Sequence, residues 1–74
     1  MAIIGSAKKE LLEAIGREPS HGYELSERVG ISKSSVYDHL GDLFESDLVK
    51  FKKRGRRKVY ELTDKGEKLL EALE

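Results

Sequence analysis

The sequence predicts a mainly helical α+β domain with one small β-hairpin, in the order α-α-α-β-β-α. Apolar residues recur at helical spacing in four stretches, and the region between the third and fourth stretches alternates apolar and charged residues as strands do. Glycine or proline marks several of the breaks between stretches. Because 74 residues, 38% of them hydrophobic, suffice for one core only, we expect residues 1–74 to form a single domain.

The first helix is predicted over about residues 7–15. Ser6 is a suitable cap for its start, and Gly16, followed by Pro19, indicates its end. Its apolar residues recur at helical spacing and are Ala7, Leu11, Leu12 and Ile15.

A second, shorter helix is predicted over about residues 21–29. We expect Ser20 to cap it and Gly30 to end it, because glycine adopts a left-handed backbone at low cost. Its partly buried residues are expected to be Tyr23, Leu25 and Val29.

The third helix is predicted over about residues 33–45, with Ser32 as its cap. Gly41 lies inside this helix, where glycine lowers helix stability by about 1 kcal/mol relative to alanine. Its presence indicates close packing, close approach of a partner, or simple tolerance. The apolar stripe comprises Val36, Leu40, Leu43 and Phe44. The opposite face carries Ser34, Tyr37 and Asp38.

Two strands and a final helix complete the chain. The strands are predicted over about residues 48–53 and 59–62, with Gly55 at the tip of the hairpin. Thr63 is expected to cap a helix over about residues 64–73, whose buried stripe is Leu69, Leu70 and Leu73. Two short helices joined by a glycine-containing turn and followed at once by a hairpin are typical of a winged helix-turn-helix.

The charges are segregated along the chain. Fourteen basic and fourteen acidic residues give a net charge of zero, yet residues 50–58 hold seven of the basic residues and no acid. This +7 hairpin predicts contact with nucleic acid or another polyanion, the alternative being a solvated edge that its charges keep from aggregating. The chain has no cysteine, which excludes disulfide scaffolds, thiolate zinc fingers and cysteine nucleophiles.

Several motifs resemble those of PadR-type transcriptional regulators, and the resemblance spans about residues 7–73. The opening of the second helix, His21-Gly22-Tyr23-Glu24-Leu25, is similar to that family's. The third helix matches through Ser35, Val36, Tyr37, Leu40 and Leu43. A wing-and-cap pattern shared with MarR-type and other small winged-helix regulators comprises Arg56, Arg57, Tyr60, Leu62, Thr63, Lys65 and Gly66. The resemblance implies a transcriptional regulator, expected to be a repressor, that binds double-stranded DNA.

We expect the third helix to enter the major groove and the basic hairpin to lie on the phosphate backbone and minor groove. Three of the helix residues have an alternative role that involves no DNA. Ser32 would only cap the helix, the Ser35 hydroxyl would bond to local backbone, and Tyr37 would pack within the protein. The predicted contacts of the helix are Ser32, Lys33, Ser34, Ser35, Tyr37 and Asp38. Those of the hairpin are Lys52, Lys53, Arg54, Arg56, Arg57 and Lys58.

The remaining expectations concern partners and other chemistry. We predict no enzymatic activity, no cofactor, no metal site at His21 or His39, no membrane span and a cytoplasmic location. The alternative function is a protein-interaction module that docks through the acidic third helix. We expect a homodimer through the first and last helices, formed by Ile3, Ile4, Leu11, Leu69, Leu70 and Leu73, although these residues alternatively only pack the monomer. Core positions are predicted for Tyr23, Phe44, Phe51 and Tyr60.

Overall fold

A computed structural model describes residues 5–74, so Ile3 and Ile4 of the predicted dimer interface lie outside the described residues. Within this range the chain forms four helices and three strands, and the predicted order of the long elements is confirmed. They are α1 (Ser6–Arg17), β1 (Ser20–His21), α2 (Gly22–Val29), α3 (Lys33–Glu45), β2 (Val49–Arg54), β3 (Arg57–Leu62) and α4 (Asp64–Leu73). No helix among residues 5–74 is long and apolar enough to cross a membrane.

The two-residue strand β1 was not predicted. It pairs antiparallel with β3, which also pairs with β2, so the sheet order is β1-β3-β2. Ser20 was expected to cap α2, but it is buried within β1, donates a hydrogen bond to the Glu18 carbonyl at 2.9 Å and accepts one from Arg28 at 2.7 Å. The cap of α2 is instead His21, whose Nδ1 accepts the Glu24 N–H at 3.2 Å.

Helix α1 ends at Arg17, two residues later than predicted. Gly16 therefore lies inside the helix and does not end it. A Cβ at residue 16 would lie 3.1 Å from Leu70 and 3.2 Å from Leu62, so this glycine lets α1 approach α4 and β3 closely. The N-cap of α1 is Gly5, and no side-chain hydrogen bond caps this end of the helix. The prediction that Ser6 caps α1 is therefore wrong.

One hydrophobic core lies between the helices and the sheet. Tyr60 is buried and Phe51 half-buried, as predicted, but Tyr23 and Phe44 are 49% and 48% exposed. Phe44 follows Leu43 by a 100° turn of the helix and is directed toward the hairpin, where its ring lies 5.4 Å from that of Phe51. The buried residues are Leu11, Leu12, Ile15, Leu25, Val36, Leu40, Leu43, Leu48, Val49 and Tyr60.

The turn after α3 sets the position of the hairpin. Asp47 has a left-handed backbone, with φ of 61°, and the Leu48 N–H bonds back to the Leu43 carbonyl at 2.9 Å. Thr63 caps α4 as predicted, accepting the Gly66 N–H at 3.0 Å, and its hydroxyl also donates to the Asp47 carbonyl. The end of α3, the start of β2 and the start of α4 are thereby tied together.

Candidate nucleic-acid interface

The N-terminus of α3 presents its first amides to solvent. Ser32 caps the helix, because its hydroxyl accepts the Ser35 N–H at 3.2 Å, and it also lies 2.9 Å from the Ser35 hydroxyl. The Val36 N–H bonds to the Ser32 carbonyl at 3.0 Å. Among residues 5–74, the Lys33 and Ser34 amides have no such partner, so they are available to an anion at the positive end of the helix.

The outward face of α3 is a single row of exposed residues. Ser34, Asp38, Gly41 and Glu45 follow one another at helical spacing, opposite the buried stripe, and all four are exposed. An added Cβ at Gly41 would meet no other atom of residues 5–74 within 4 Å, so no packing in that range requires a glycine there. Of the explanations that the sequence left open for Gly41, close packing against residues 5–74 is therefore excluded.

The acidic character of α3 is partly neutralised by α1. Asp42 lies on the flank of the helix, and its Oδ2 is 3.1 Å from the ammonium of Lys8. Asp38 and Glu45 take part in no ion pair within the described residues. The outward face thus carries two uncompensated carboxylates rather than a continuous acidic surface.

A groove of about 440 Å³ separates the start of α2 from the hairpin. Tyr37 of α3 forms part of its wall: the ring lies against Gly22, where an added Cβ would come within 2.5 Å of the ring. Tyr37 is nevertheless 52% exposed, so it both packs on α2 and presents its ring edge to the groove. Arg56, Arg57 and Lys58 of the hairpin line the opposite side.

Tyr23 also belongs to this surface, which sequence reasoning missed by assigning it to the core. It lines the groove, and the Lys33 ammonium lies 3.8 Å from the centre of its ring. This contact links the start of α2 to the N-terminus of α3. Tyr23 lies two residues before the buried Leu25, about 200° around the helix, so its side chain is directed away from the core.

The wing, which is the hairpin of β2 and β3, carries its charge on exposed side chains. Gly55, with φ of 62°, forms the turn between the paired residues Arg54 and Arg57. Near the base of the wing, Lys50 and Lys52 lie 3.9 and 3.7 Å from the Glu61 carboxylate. Toward the tip, no carboxylate of residues 5–74 lies within ion-pair distance of the basic residues, which are Lys53, Arg54, Arg56, Arg57 and Lys58.

His21 connects the wing to α2. Its Nε2 lies 3.3 Å from Arg57 Nη1, while its Nδ1 accepts the Glu24 N–H. A neutral imidazole has only one acceptor nitrogen, so the ring cannot accept from both donors at once. As long as His21 caps α2, its Nε2 carries the proton, and the Arg57 guanidinium beside it remains available to an anion.

Tyr60 forms the floor between these elements, its ring 5.7 Å from that of Phe51. Burial raises the pKa of the Tyr60 hydroxyl above its ordinary value, and the nearby Tyr37 raises it further. The phenol therefore stays neutral at physiological pH. No cluster of three or more metal-ligating side chains occurs among residues 5–74.

The fold is similar to those of several solved transcription regulators. PcaV from Streptomyces coelicolor, solved in complex with its natural ligand, is 26% identical with a TM-score of 0.87, over 92% of this chain and 51% of PcaV. MepR, a regulator of the Staphylococcus aureus multidrug efflux pump MepA, is 22% identical with a TM-score of 0.88, over 95% of this chain and 55% of MepR. Both are winged-helix regulators of MarR type, and the chain spans about half the length of each.

A shorter structure matches over most of its own length. AF1382 from Archaeoglobus fulgidus is 24% identical with a TM-score of 0.86, over 96% of this chain and 84% of AF1382. No curated protein sequence matches the chain. The sequence profile of the transcriptional regulator PadR-like family matches residues 11–72, most of the chain, and with the winged-helix fold this shows that the protein belongs to the PadR-like family of transcriptional regulators.

Proposed function

We propose that this protein is a sequence-specific regulator that binds double-stranded DNA, with α3 in the major groove and the wing on the backbone and minor groove. The observation that carries the proposal is the shared groove: Arg56, Arg57 and Lys58 border the same concavity as Tyr37 of α3 and the start of α2. A duplex that follows this groove meets a helix N-terminus and a +7 hairpin together.

The residues divide by the chemistry they offer. The Lys33 and Ser34 amides bind a phosphate, and the exposed Asp38 carboxylate accepts from a cytosine amino group in the major groove. The wing residues Lys52, Lys53, Arg54, Arg56, Arg57 and Lys58 follow the backbone, with Arg54 and Arg56 at the minor groove. Because Ser32 and Ser35 bond to each other, they contribute chiefly by shaping the helix N-terminus.

A two-fold dimer is part of this proposal, since paired α3 helices about 34 Å apart would match one helical turn of DNA. Leu11 takes no part in its interface, because the residue is fully buried in the monomer core and that expectation was wrong. Leu69, Leu70 and Leu73 of α4 are only partly buried and remain as interface candidates.

Selection of bound duplexes from a random pool, followed by fluorescence anisotropy, tests the proposal. We expect one enriched, two-fold symmetric site, with affinity falling by about 0.9 log units per log unit of salt for each phosphate neutralised. Reversing the wing with Arg54→Glu, Arg56→Glu and Arg57→Glu should abolish binding. The matched control reverses three basic residues elsewhere, Lys9, Arg17 and Lys68, and should retain the selected site. Unchanged binding by the wing variant, or a flat salt response, contradicts the proposal.

The second candidate function is protein docking through the outward face of α3, for which the exposed Asp38 and Glu45 are the supporting observation. The ion pair with Lys8 neutralises Asp42, so α3 offers a protein partner only two free carboxylates. This weak acidic character favours the DNA proposal. The docking function replaces the DNA proposal if two results are found together. No duplex is enriched, and the double variant Asp38→Lys, Glu45→Lys loses the capture of a protein partner.

A further inference from the structure

We propose that His21 and Arg57 form a binding site for one phosphate of the DNA backbone, and that the bound phosphate fixes the proton of His21 on Nε2. The two side chains meet where the start of α2 faces the wing, with His21 Nε2 3.3 Å from Arg57 Nη1. His21 is not among the DNA contacts predicted from the sequence. The source of the phosphate rests on the proposed function, whereas the site itself can also be tested with inorganic phosphate.

The proton of His21 cannot satisfy both neighbours of the ring, because a neutral imidazole carries only one. With the proton on Nε2, Nδ1 accepts the Glu24 N–H at 3.2 Å and caps α2, but Nε2–H and the Arg57 guanidinium are two donors that face each other. With the proton on Nδ1, Nε2 accepts from Arg57, but the Glu24 N–H then faces a second donor. Each tautomer of the free protein thus leaves one pair of donors in conflict.

An anionic oxygen beside His21 and Arg57 removes this conflict. Charge-assisted N–H···O bonds are about 2.7–2.9 Å long, so one oxygen can lie at that distance from two nitrogens that are 3.3 Å apart. Arg57 is exposed, and its side chain can rotate to admit the oxygen. The oxygen accepts from both donors and selects the tautomer in which Nδ1 caps α2. Anion binding and capping of α2 are thereby coupled.

The surroundings of the pair favour an anion. The adjoining groove is lined by Arg56, Arg57 and Lys58, and no carboxylate is among the described residues that line it. The His21 side chain is only 20% exposed, which limits the competition of water for its N–H. Glu24 Oε1 lies 3.9 Å from Nε2, too far for a hydrogen bond, and that side chain is half exposed. The carboxylate can therefore turn toward solvent when an anion binds.

The position of His21 favours a phosphate of duplex DNA as this anion. On one side the ring contacts Arg57 of the wing. On the other side its centre is 6.4 Å from that of the Tyr23 ring, over which the Lys33 ammonium lies. His21 is therefore beside both the wing and the side chains that neighbour the start of α3. A DNA strand that follows the groove presents a backbone phosphate to the pair.

The position of the His21 proton is the first test. NMR of the imidazole nitrogens in ¹⁵N-labelled protein at about pH 8, where a histidine ring is mostly neutral, reports which nitrogen carries the proton. We expect signals averaged between the two tautomers in the free protein. The selected duplex, and separately inorganic phosphate, should shift both signals toward the tautomer protonated on Nε2. The ring of His39, which does not line this groove, is the internal control.

Two substitutions of His21 separate a phosphate contact from a helix cap. His21→Asn keeps a side-chain acceptor for the Glu24 N–H but lacks the ring N–H that faces Arg57, whereas His21→Ala lacks both. We expect each variant to bind the selected duplex about tenfold more weakly, the loss typical of one hydrogen bond to a charged group. Only His21→Ala should lower the urea midpoint of unfolding. Binding of His21→Asn at the wild-type affinity would show that His21 only caps the helix.

Neutral methylphosphonates, placed one at a time in the selected duplex, locate the phosphate. At one position the wild type should lose affinity, while His21→Asn and Arg57→Gln should be insensitive because their contact is already absent. The double variant should bind little more weakly than Arg57→Gln alone, since both residues hold the same phosphate. Additive losses, or full sensitivity of both variants at every position, would overturn the shared site.

The results distinguish failure of this site from failure of the proposed function. If the duplex binds but leaves the His21 signals unchanged, or places the proton on Nδ1, the site is wrong and the DNA-binding function stands. If no duplex is selected but inorganic phosphate shifts the His21 signals, the phosphate site stands and DNA is overturned as its ligand. No response to either ligand overturns the site.

Discussion

The ring of Tyr37 lies against the backbone of Gly22, at a distance that leaves no room for a methyl group: an added Cβ would come within 2.5 Å of Tyr37 Cε1. This contact joins α3 to the first residue of α2 and orients Tyr37 along the groove that the wing borders. Tyr37 is half exposed, so its ring can be displaced without opening the core.

Gly22→Ala is therefore expected to displace Tyr37 more than it destabilises the fold. We expect the free energy of unfolding to fall by about 1 kcal/mol, the low end for overpacking, and duplex affinity to fall severalfold. A double-mutant cycle with Tyr37→Ala checks the cause, since Gly22→Ala should cost nothing further once the ring is absent. Additive effects would show that the two residues act independently.

Gly66→Ala should have a much larger effect on stability. The Cβ would overlap the Leu48 carbonyl, a backbone atom that also accepts the Thr63 N–H and has no room to retreat. We expect a loss of about 3 kcal/mol in urea unfolding, which is a large share of the stability of so small a domain. Glu71→Ala on the exposed side of α4 is the control and should change stability by no more than about 0.5 kcal/mol. A mild effect of Gly66→Ala would contradict the close packing of α4 on the turn.

Gly41→Ala is expected to separate stability from binding. The new methyl group meets no atom of the described part of the chain within 4 Å, so the helix should be stabilised by about 1 kcal/mol and the melting temperature should rise. The methyl group also projects from the outward face of α3, between Asp38 and Glu45, and should weaken duplex binding if that face lies in the major groove. A stabilised variant with unchanged affinity would indicate that the glycine is merely tolerated.

Tyr60 should make stability depend on pH at the alkaline end. Burial, followed by the influence of Tyr37, raises the pKa of the Tyr60 hydroxyl in the folded state above the ordinary 10.0. The stability that the neutral Tyr60 phenol contributes is fully present below the unfolded-state pKa and is lost as pH rises through the folded-state pKa. The reason is that the phenol ionises first in the unfolded state, which favours unfolding. Thermal melts from pH 8 upward should show this decline above about pH 10, and Tyr60→Phe should reduce its slope. An identical slope in both proteins would assign the decline to other groups.

Local signals in the sequence determined most of the elements. Ser32 and Thr63 cap their helices, and Gly30 ends α2 with φ of 78°, because each of these features depends on residues within about four positions along the chain. The +7 charge of the wing is likewise a property of consecutive residues, with Gly55 at its turn. The candidate DNA surface could be named in outline for the same reason, and its contacts remain predictions.

The tertiary structure decided what depends on residues far apart in sequence. Strand β1 has only two residues, too few to show a period, and exists because β3 pairs with Ser20 and His21. Tyr23 lies on the candidate DNA surface instead of in the core, with the Lys33 ammonium over its ring. The ion pair of Lys8 with Asp42, which weakens the acidic character of α3, joins two helices that local patterns treat separately. Apolar spacing predicts which side of a helix faces inward, but only packing decides which neighbour covers each side chain and how completely.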